Sequence, residues 1–270
     1  MDIKSLYTVI PHNSGLEALK YFLDKRPVLN PPTVTLARLA ELVLTLNTFS
    51  FNNEFYHQVG GVAMGNKMGP NYTCRFVGYV EEQIGQQYTG TVPQLYKRYI
   101  NNVVGIACCS RAELEKYIAF VSNFHPALQF THTISETELP FLGINLCISG
   151  DRIHASIHYK ATDTHSYLHY DSSHPCHCKE GLPYSQLLCL RRICSDQADF
   201  LNKPQEMASF FERRGYSAQT LKHDPEKMKH LSQSGALTKS NSTWYSHTIL
   251  WTLEYNESCL TISKWLQTNQ

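Results

Sequence analysis

The sequence predicts an α+β fold, in which antiparallel strands with packed helices come first and a mainly helical region follows. Apolar residues recur at helical spacing over residues 16–23 and 36–44, which places them on one face of each helix. Segments 49–56 and 95–107 show the patterns typical of β-hairpins, whose strands are antiparallel. From about residue 184 onward the apolar spacing is again helical. These observations predict one mixed part and one helical part.

The first part can be followed element by element. Residues 1–10 predict a strand that leads into a turn. Two helices follow, separated by Pro31-Pro32, because proline interrupts the hydrogen bonding of a helix. Asn52-Asn53 supplies the positive φ angles that a tight hairpin turn needs. Gly69-Pro70 predicts the start of a helix that continues to about Gln87, since proline is favoured at the first helical position.

The remaining elements complete the two parts. The second hairpin has Asn101-Asn102 as its predicted tip. We expect a helix at 111–123, strands near 128–133, 139–148 and 152–159, and C-terminal helices at 187–200, 206–214 and 260–266. The boundary between the mixed part (1–160) and the helical part (161–270) is predicted near residue 160. The polar stretch 225–243 predicts a loose segment.

Composition limits the classes of protein to which the chain could belong. The 42% of hydrophobic residues is enough for a buried core, and a net charge of +1 argues against a strongly basic nucleic-acid-binding surface. Nine scattered cysteines without a secretory signal are typical of reduced thiols in an intracellular protein. No apolar run approaches the ~18 residues of a membrane span. We therefore expect a chain of the nucleus or cytoplasm that does not enter a membrane.

Four segments resemble, in their order and spacing, the palm motifs of a reverse transcriptase. They are Asp2–Tyr7, Gly61–Pro70, Tyr99–Asn102 and Leu139–Gly143. The resemblance is strongest to the reverse transcriptases of Penelope-like retroelements. It implies a polymerase-type palm in residues 1–160, followed by a small helical thumb in residues 161–270.

The resemblance assigns a metal site to Asp2, Asn101 and Asn102. Asp2 matches the first metal-binding carboxylate of the family, and Tyr7 matches the aromatic residue beneath the nucleotide sugar. Nucleotidyl transfer uses two divalent metal ions, and Mg²⁺ prefers carboxylate oxygens as ligands. Asn101 and Asn102 stand where the family carries aspartates, so the oxygens remain but two negative charges are lost. The family implies Mg²⁺ as cofactor, and we expect that it is not bound productively here.

Further residues match the nucleotide and nucleic-acid contacts of the family. The nucleotide-binding positions are Gln58, Gly61, Met64 and Gly65, beside Tyr7. The contacts to an RNA or DNA template–primer duplex are Lys67, Tyr99, Phe141 and Leu142. Each of these segments also has a purely structural interpretation: the glycine loop as a packing element, and Phe141 and Leu142 as strand core.

The C-terminal part carries the most distinctive stretch of the resemblance. Pro183–Gln186 and Arg191–Asp196 are similar to a helix-turn-helix-like thumb, in which Pro183 would open a helix. Arg191 and Arg192 would then contact the phosphate backbone without regard to sequence. The alternative is a helix with solvated arginines. A zinc site is not favoured, because Cys176 and Cys178 are only one residue apart and no second pair has suitable spacing.

The family also implies what the chain lacks. It starts almost on the first palm motif, so the resemblance implies missing fingers, and it stops before the GIY-YIG endonuclease domain of many members. Three hypotheses follow: an inert palm and thumb fragment, a non-enzymatic nucleic-acid-binding scaffold derived from a reverse transcriptase, or an active polymerase in which the two asparagines are copy-specific changes.

Overall fold

The computed structural model describes residues 1–150, 152–219, 221 and 230–238. Of these residues, 46% are helical and 17% lie in strands, and every paired strand is antiparallel. The predicted α+β class with antiparallel sheets is therefore confirmed. The chain divides into two compact units, Met1–Thr133 and Ile134–Gln270.

The N-terminal unit holds six strands and five helices in its described residues. In chain order they are β1 (Asp2–Ile3), α1 (Leu6–Val9), α2 (His12–Asp24), α3 (Thr33–Thr45), β2 (Thr48–Phe51), β3 (Glu54–His57), α4 (Gly69–Gln87), β4 (Leu95–Tyr99), β5 (Asn102–Ile106), α5 (Arg111–Phe124) and β6 (Phe130–Thr131). A four-stranded sheet has the order β4-β5-β1-β6, and β2-β3 form a separate hairpin.

The core of this unit lies around α4. This helix packs against α2, and it buries Tyr72, Phe76 and Val77 almost completely. Ile3 of β1 and Val103 of β5 are buried as well. Burial of aromatic and branched side chains is the dominant favourable term in folding. Strands β1 and β5, which adjoin the candidate site, are therefore anchored in this core.

Several local predictions in this unit are confirmed. Asn52 and Asn53 have φ angles of 50° and 63° and form the turn between β2 and β3. Helix α4 has the predicted bounds, with proline near its start. Helix α5 begins at a capping box in which Ser110 accepts from the Glu113 backbone and Glu113 reaches back to Ser110.

The predicted strand over residues 1–10 is wrong beyond Ile3. Helix α1 follows instead, because Leu6 and Ile10, four residues apart, are both directed into the core. The turn expected at Pro11–Gly15 is likewise absent: α2 begins at His12, and Pro11 occupies its N-cap. Proline suits this position because it has no backbone N–H to leave unpaired.

The C-terminal unit contains a three-stranded sheet and three helices that lie wholly within its described residues. They are β7 (Glu138–Phe141), β8 (Ile144–Ser149), β9 (Arg152–Ile157), α6 (Cys176–Ile193), α7 (Gln197–Glu212) and α8 (Gln233–Leu237). The strand order is β7-β8-β9.

The sheet belongs with the helices of this unit, whereas we predict a boundary near residue 160. Ile144 and Ala155 of the sheet form one buried cluster with Ile193 of α6. The Ser195 backbone N–H donates to the Ala155 carbonyl at 2.9 Å, and the Ala155 N–H donates to Ser195 Oγ at 2.9 Å. These contacts place the division of the chain between Thr133 and Ile134.

The helices of this unit differ in their bounds from the prediction. Helix α6 begins at Cys176, so Pro183 lies buried inside it and does not open it. We predict one helix over 187–200 and a second over 206–214, with a break near residue 203. In the structure the break lies at 194–196, because α6 ends at Ile193 and α7 runs continuously from Gln197 to Glu212. The Asp196 side chain caps α7 by accepting from the Ala198 N–H at 2.8 Å.

Part of the predicted C-terminal structure lies outside the described residues. Within the stretch 225–243 that we predict to be loose, Gln233–Leu237 is helical. The predicted helix at 260–266 lies outside the described residues. Of the helices that the structure describes, none is long and apolar enough to cross a membrane.

Candidate functional site

The structure brings together the three residues expected at the metal site. Strand β1 pairs with β5 so that Asp2 lies opposite Asn102. Asn101 Nδ2 donates to Asp2 Oδ1 at 2.6 Å, and Asn102 Nδ2 donates to Asn101 Oδ1 at 3.2 Å. Because the Asp2 carboxylate can only accept, the Asn101 amide must turn its nitrogen toward it. A carboxylate and two amides thus form one hydrogen-bonded chain.

The turn beside these residues is displaced from the predicted tip by one position. Tyr99 and Asn102 are paired across the hairpin, so the two-residue turn is Ile100–Asn101. Ile100 has a φ of 52°. A β-branched residue rarely adopts a positive φ, and such strain costs on the order of 1–3 kcal/mol. The predicted tip at Asn101-Asn102 is therefore wrong by one residue, and the positive φ of the turn belongs to an isoleucine.

Sequence reasoning missed the side chains that support this turn. Arg98 forms a two-pronged ion pair with Glu81 of α4, at 2.7 and 2.9 Å, and donates to the Ile100 carbonyl at 3.0 Å. Burial alone would lower the pKa of Arg98. The hydrogen bonds to Glu81 and the negative charge of Glu81 outweigh burial, and the pKa of Arg98 is raised. Tyr96 also donates to Glu81, at 2.8 Å. A weak signal did exist, because alternation along β4 places Arg98 on the same strand face as Tyr96.

The residues present do not fit the two-metal chemistry that the resemblance implies. Mg²⁺ prefers charged oxygen ligands, and Asp2 is the only carboxylate among the three residues. One of its oxygens already accepts a hydrogen bond from Asn101. Within the described ranges, no group of three or more His, Cys, Asp or Glu residues is arranged to hold a metal ion. The site as it stands is a polar hydrogen-bonded cluster.

The glycine loop packs against α1, close to Tyr7. The Val62 N–H donates to the Tyr7 carbonyl at 2.6 Å. Gly61 has a φ of 70°, and an added Cβ would lie 2.6 Å from the Tyr7 carbonyl oxygen. An added Cβ at Gly69 would lie 3.3 Å from the Tyr7 ring. Gly61 is therefore required by close packing of two backbone segments, which supports the structural interpretation of this residue.

Other loop residues are open to solvent. Met64 is 74% exposed, Lys67 is exposed, and Gly65 has no atom within 4 Å of an added Cβ. Gln58 is engaged internally: it accepts from Asn47 at 2.7 Å and donates to the Gly60 carbonyl at 2.9 Å. Met64, Gly65 and Lys67 are therefore the loop positions that a ligand can reach.

Phe141 and Leu142 belong to the C-terminal unit. Phe141 is buried at the end of β7, in agreement with its alternative interpretation as strand core. Leu142 and Gly143 form the turn to β8 with φ angles of 50° and 79°. The predicted single strand over 139–148 is therefore a hairpin.

The two arginines predicted to contact nucleic acid have internal partners. Arg191 is 5% exposed and donates to the carbonyls of Leu231 at 2.8 Å and Cys194 at 3.2 Å. Arg192 donates to the Ala236 carbonyl at 2.7 Å. Burial lowers the pKa of both guanidinium groups. The alternative of solvated arginines is wrong for Arg191, and a phosphate contact would require it to leave its carbonyl partners.

The remaining basic residues of this region are also tied to neighbours. Each Lys and Arg side chain between residues 166 and 219 donates to a carbonyl or carboxylate within the unit: Lys179, Arg191, Arg192, Lys203, Arg213 and Arg214. The acidic residues of the same range are all exposed: Asp171, Glu180, Asp196, Asp199, Glu206 and Glu212. The range therefore holds six basic and six acidic side chains, and with histidine neutral it carries no net positive charge of the kind that usually marks a nucleic-acid interface.

One histidine of this region, His165, takes part in aromatic packing. The His165 ring stacks on Phe210 with a centroid separation of 3.8 Å and an angle of 7°. Tyr167 stacks on Phe211 at 4.6 Å, and Arg214 Nε donates to the Tyr167 carbonyl at 2.6 Å. The segment that precedes α6 is thereby fastened to the end of α7.

Comparison with known proteins identifies a family similarity in this unit. Residues 166–224 match the Animal helix-turn-helix domain family. The match covers α6, α7 and the three-residue turn 194–196 between them, a turn length typical of a helix-turn-helix. The helix-turn-helix predicted in the C-terminal part is thus confirmed. No curated protein shows significant similarity to the chain.

Proposed function

We propose that the chain is a reverse-transcriptase-type palm of Penelope-like descent, joined to a helix-turn-helix, which has lost polymerase activity. The observation that carries this proposal is the contact of Asp2 with Asn101, 99 positions apart in the sequence and 2.6 Å apart in the structure. The motif order of a palm requires these positions to meet on neighbouring antiparallel strands.

The loss of activity follows from charge. Two divalent ions need several negative ligands, and the site offers one carboxylate and two neutral amides. The Asn101 amide also presents a hydrogen-bond donor where the family has an acceptor. Each ~1.4 kcal/mol of lost transition-state stabilisation lowers the rate tenfold. The fold of the site is kept while its chemistry is lost.

The test is Mg²⁺-dependent primer extension on an RNA template. The chain itself is compared with an Asn101→Asp/Asn102→Asp protein, and with that protein carrying Asp2→Asn as a matched control. We expect extension by the double revertant alone. Extension by the unaltered chain would overturn the loss of activity. Absence of extension in all three, with intact folding, would show that restoring the two carboxylates is not enough for polymerase activity, and nucleic-acid binding would remain the only activity proposed.

A second candidate function is nucleic-acid binding without catalysis, which the helix-turn-helix family match favours. Contacts of lysine and arginine with phosphates supply most of the affinity of non-specific binding. In residues 166–219 the basic side chains are matched in number by acidic ones and are hydrogen-bonded within the unit, so we expect such binding to be weak. Fluorescence anisotropy with RNA–DNA duplex at several salt concentrations tests it. A salt slope close to zero would exclude binding through phosphate neutralisation.

A further inference from the structure

The turn that carries Asn101 is strained, and this strain must be held by neighbouring groups. Ile100 keeps a positive φ although isoleucine is β-branched, and no glycine stands at the turn. Such a conformation persists only where the surroundings impose it. On one side, the Ile3 N–H donates to the Asn101 carbonyl at 2.9 Å. A second support must act on Ile100 itself.

Arg98 supplies that second support. Its guanidinium donates to the Ile100 carbonyl at 3.0 Å and to the Cys74 carbonyl of α4 at 3.4 Å. The guanidinium also donates two parallel hydrogen bonds to the Glu81 carboxylate, and these fix the orientation of the guanidinium. The Arg98 side chain is only 13% exposed, which limits competition from water. The planar guanidinium can serve these acceptors together, and a lysine cannot.

This arrangement links two parts of the candidate site. Helix α4 follows directly on the glycine loop and carries both Glu81 and the Cys74 carbonyl. Arg98 is hydrogen-bonded both to this helix and to the Ile100 carbonyl, so a shift of the helix would move the turn. The turn in turn fixes the position at which the Asn101 side chain donates to Asp2. Lys97, the preceding residue, is exposed on the opposite face of the strand and has no part in the link.

We propose that Arg98 is the positioning residue of this site: it holds the strained Ile100 turn in register with Asp2. Glu81 acts through Arg98 by fixing its guanidinium. If the Arg98–Glu81 ion pair only joined helix and sheet, its contribution to stability would be the same with isoleucine or glycine at position 100. The proposed role does depend on it, because a glycine adopts a positive φ without support.

Because this inference rests on the proposed function for the meaning of the site, the test uses two separate readouts. The first is Tb³⁺ luminescence, with Tb³⁺ as the probe for a hard-cation site in the Asn101→Asp/Asn102→Asp protein. Arg98→Met should weaken Tb³⁺ binding about tenfold, the loss expected for a charge-assisted hydrogen bond. Adding Ile100→Gly should restore most of the affinity. The matched control, Lys97→Met, should leave Tb³⁺ binding unchanged.

The second readout needs no metal and uses the chain with its asparagines. Amide hydrogen exchange of Ile3, whose N–H donates to the Asn101 carbonyl, reports on the register of the turn. Arg98→Met should accelerate this exchange about tenfold relative to Lys97→Met, and Ile100→Gly should reverse the effect. Arg98→Lys should behave like Arg98→Met.

The outcomes separate the two proposals. If the double revertant does not bind Tb³⁺ but exchange at Ile3 responds and is rescued, the palm proposal is in doubt and the role of Arg98 stands. If Arg98→Met leaves exchange unaltered, or if Ile100→Gly fails to rescue it, Arg98 is a structural ion-pair partner and the inference is overturned.

Discussion

The contact between Asp2 and Asn101 can be tested by giving it a second negative charge. Asn101→Asp replaces the amide that donates to Asp2 at 2.6 Å with a carboxylate of almost the same shape. The hydrogen bond is lost at neutral pH, and two like charges face each other on paired strands. We expect the variant to fold less stably than the unaltered chain.

The magnitude follows from the geometry. A hydrogen bond to a charged group contributes about 1.5–3 kcal/mol, and this part is lost with any non-donor at position 101. Two charges relaxed to a separation of about 4 Å repel by roughly 1 kcal/mol in water and roughly 4 kcal/mol near a protein surface. Asp2 is half-buried, so an extra cost of about 2 kcal/mol is expected for the carboxylate.

Urea unfolding at pH 7 without Mg²⁺ measures this difference. Asn101→Ala is the first control, because it removes the donor and adds no charge. The exchanged pair Asp2→Asn/Asn101→Asp is the second control, since it keeps one amide and one carboxylate in contact. We expect the exchanged pair to unfold within about 1 kcal/mol of the unaltered chain.

Two changes of condition should remove the extra cost. Acid that protonates either carboxyl group removes one of the two like charges, so the gap between Asn101→Asp and Asn101→Ala should close at low pH. Millimolar Mg²⁺ should narrow it at pH 7, because an ion that binds only the folded form stabilises it. Equal stability of Asn101→Asp and Asn101→Ala at pH 7 would refute the described contact.

Three further predictions concern packing, pH and thiol reactivity. Gly61→Ala should destabilise the fold by more than about 3 kcal/mol in urea unfolding, whereas Gly65→Ala should cost about 1 kcal/mol, because both have positive φ but only Gly61 meets backbone atoms; similar losses would contradict the close approach. Burial lowers the pKa of His125, so the unfolded chain binds the proton more tightly than the folded chain, and the free energy of unfolding should fall as the pH drops below about 6.5. In urea unfolding at several pH values, His125→Asn should reduce this fall. An unchanged pH dependence in the variant would contradict the burial of His125. Burial raises the pKa of Cys189 to about 11, so alkylation at pH 8, mapped by mass spectrometry, should label the exposed Cys176 long before Cys189; equal labelling would show that the Cys189 thiol is accessible.

Elements governed by local rules could be predicted from the sequence. Gly69-Pro70 and the apolar spacing after it specify α4 to its last residue, and the Asn52-Asn53 turn specifies a hairpin. The helix-turn-helix of residues 166–224 was also within reach of sequence comparison. For α4 and the hairpin the information lies within a few residues of the element, where propensity and turn chemistry act.

Predictions that depended on the choice of partner were less successful. The pattern around Arg191 and Arg192 indicates an amphipathic helix, but their hydrogen-bond acceptors, Leu231 and Ala236, lie about 40 positions further along the chain. The spacing of apolar residues predicts which face of a helix a side chain occupies. It does not predict which distant segment packs on that face. The break between α6 and α7 was misplaced for a related reason, since the Asp196 cap outweighed the apolar run on which the prediction relied.

The sequence by itself determined the mixed class of the fold, the two hairpins within 49–56 and 95–107, and the helix that begins at Gly69-Pro70. The tertiary structure alone decided that Asp2 meets Asn101, that Ile100 carries the strained turn, and that Arg98 and Glu81 hold it. The physical reason is the range of the interactions. Secondary structure follows from neighbours a few residues apart, whereas a hydrogen bond between distant residues exists only once a common core has brought them together.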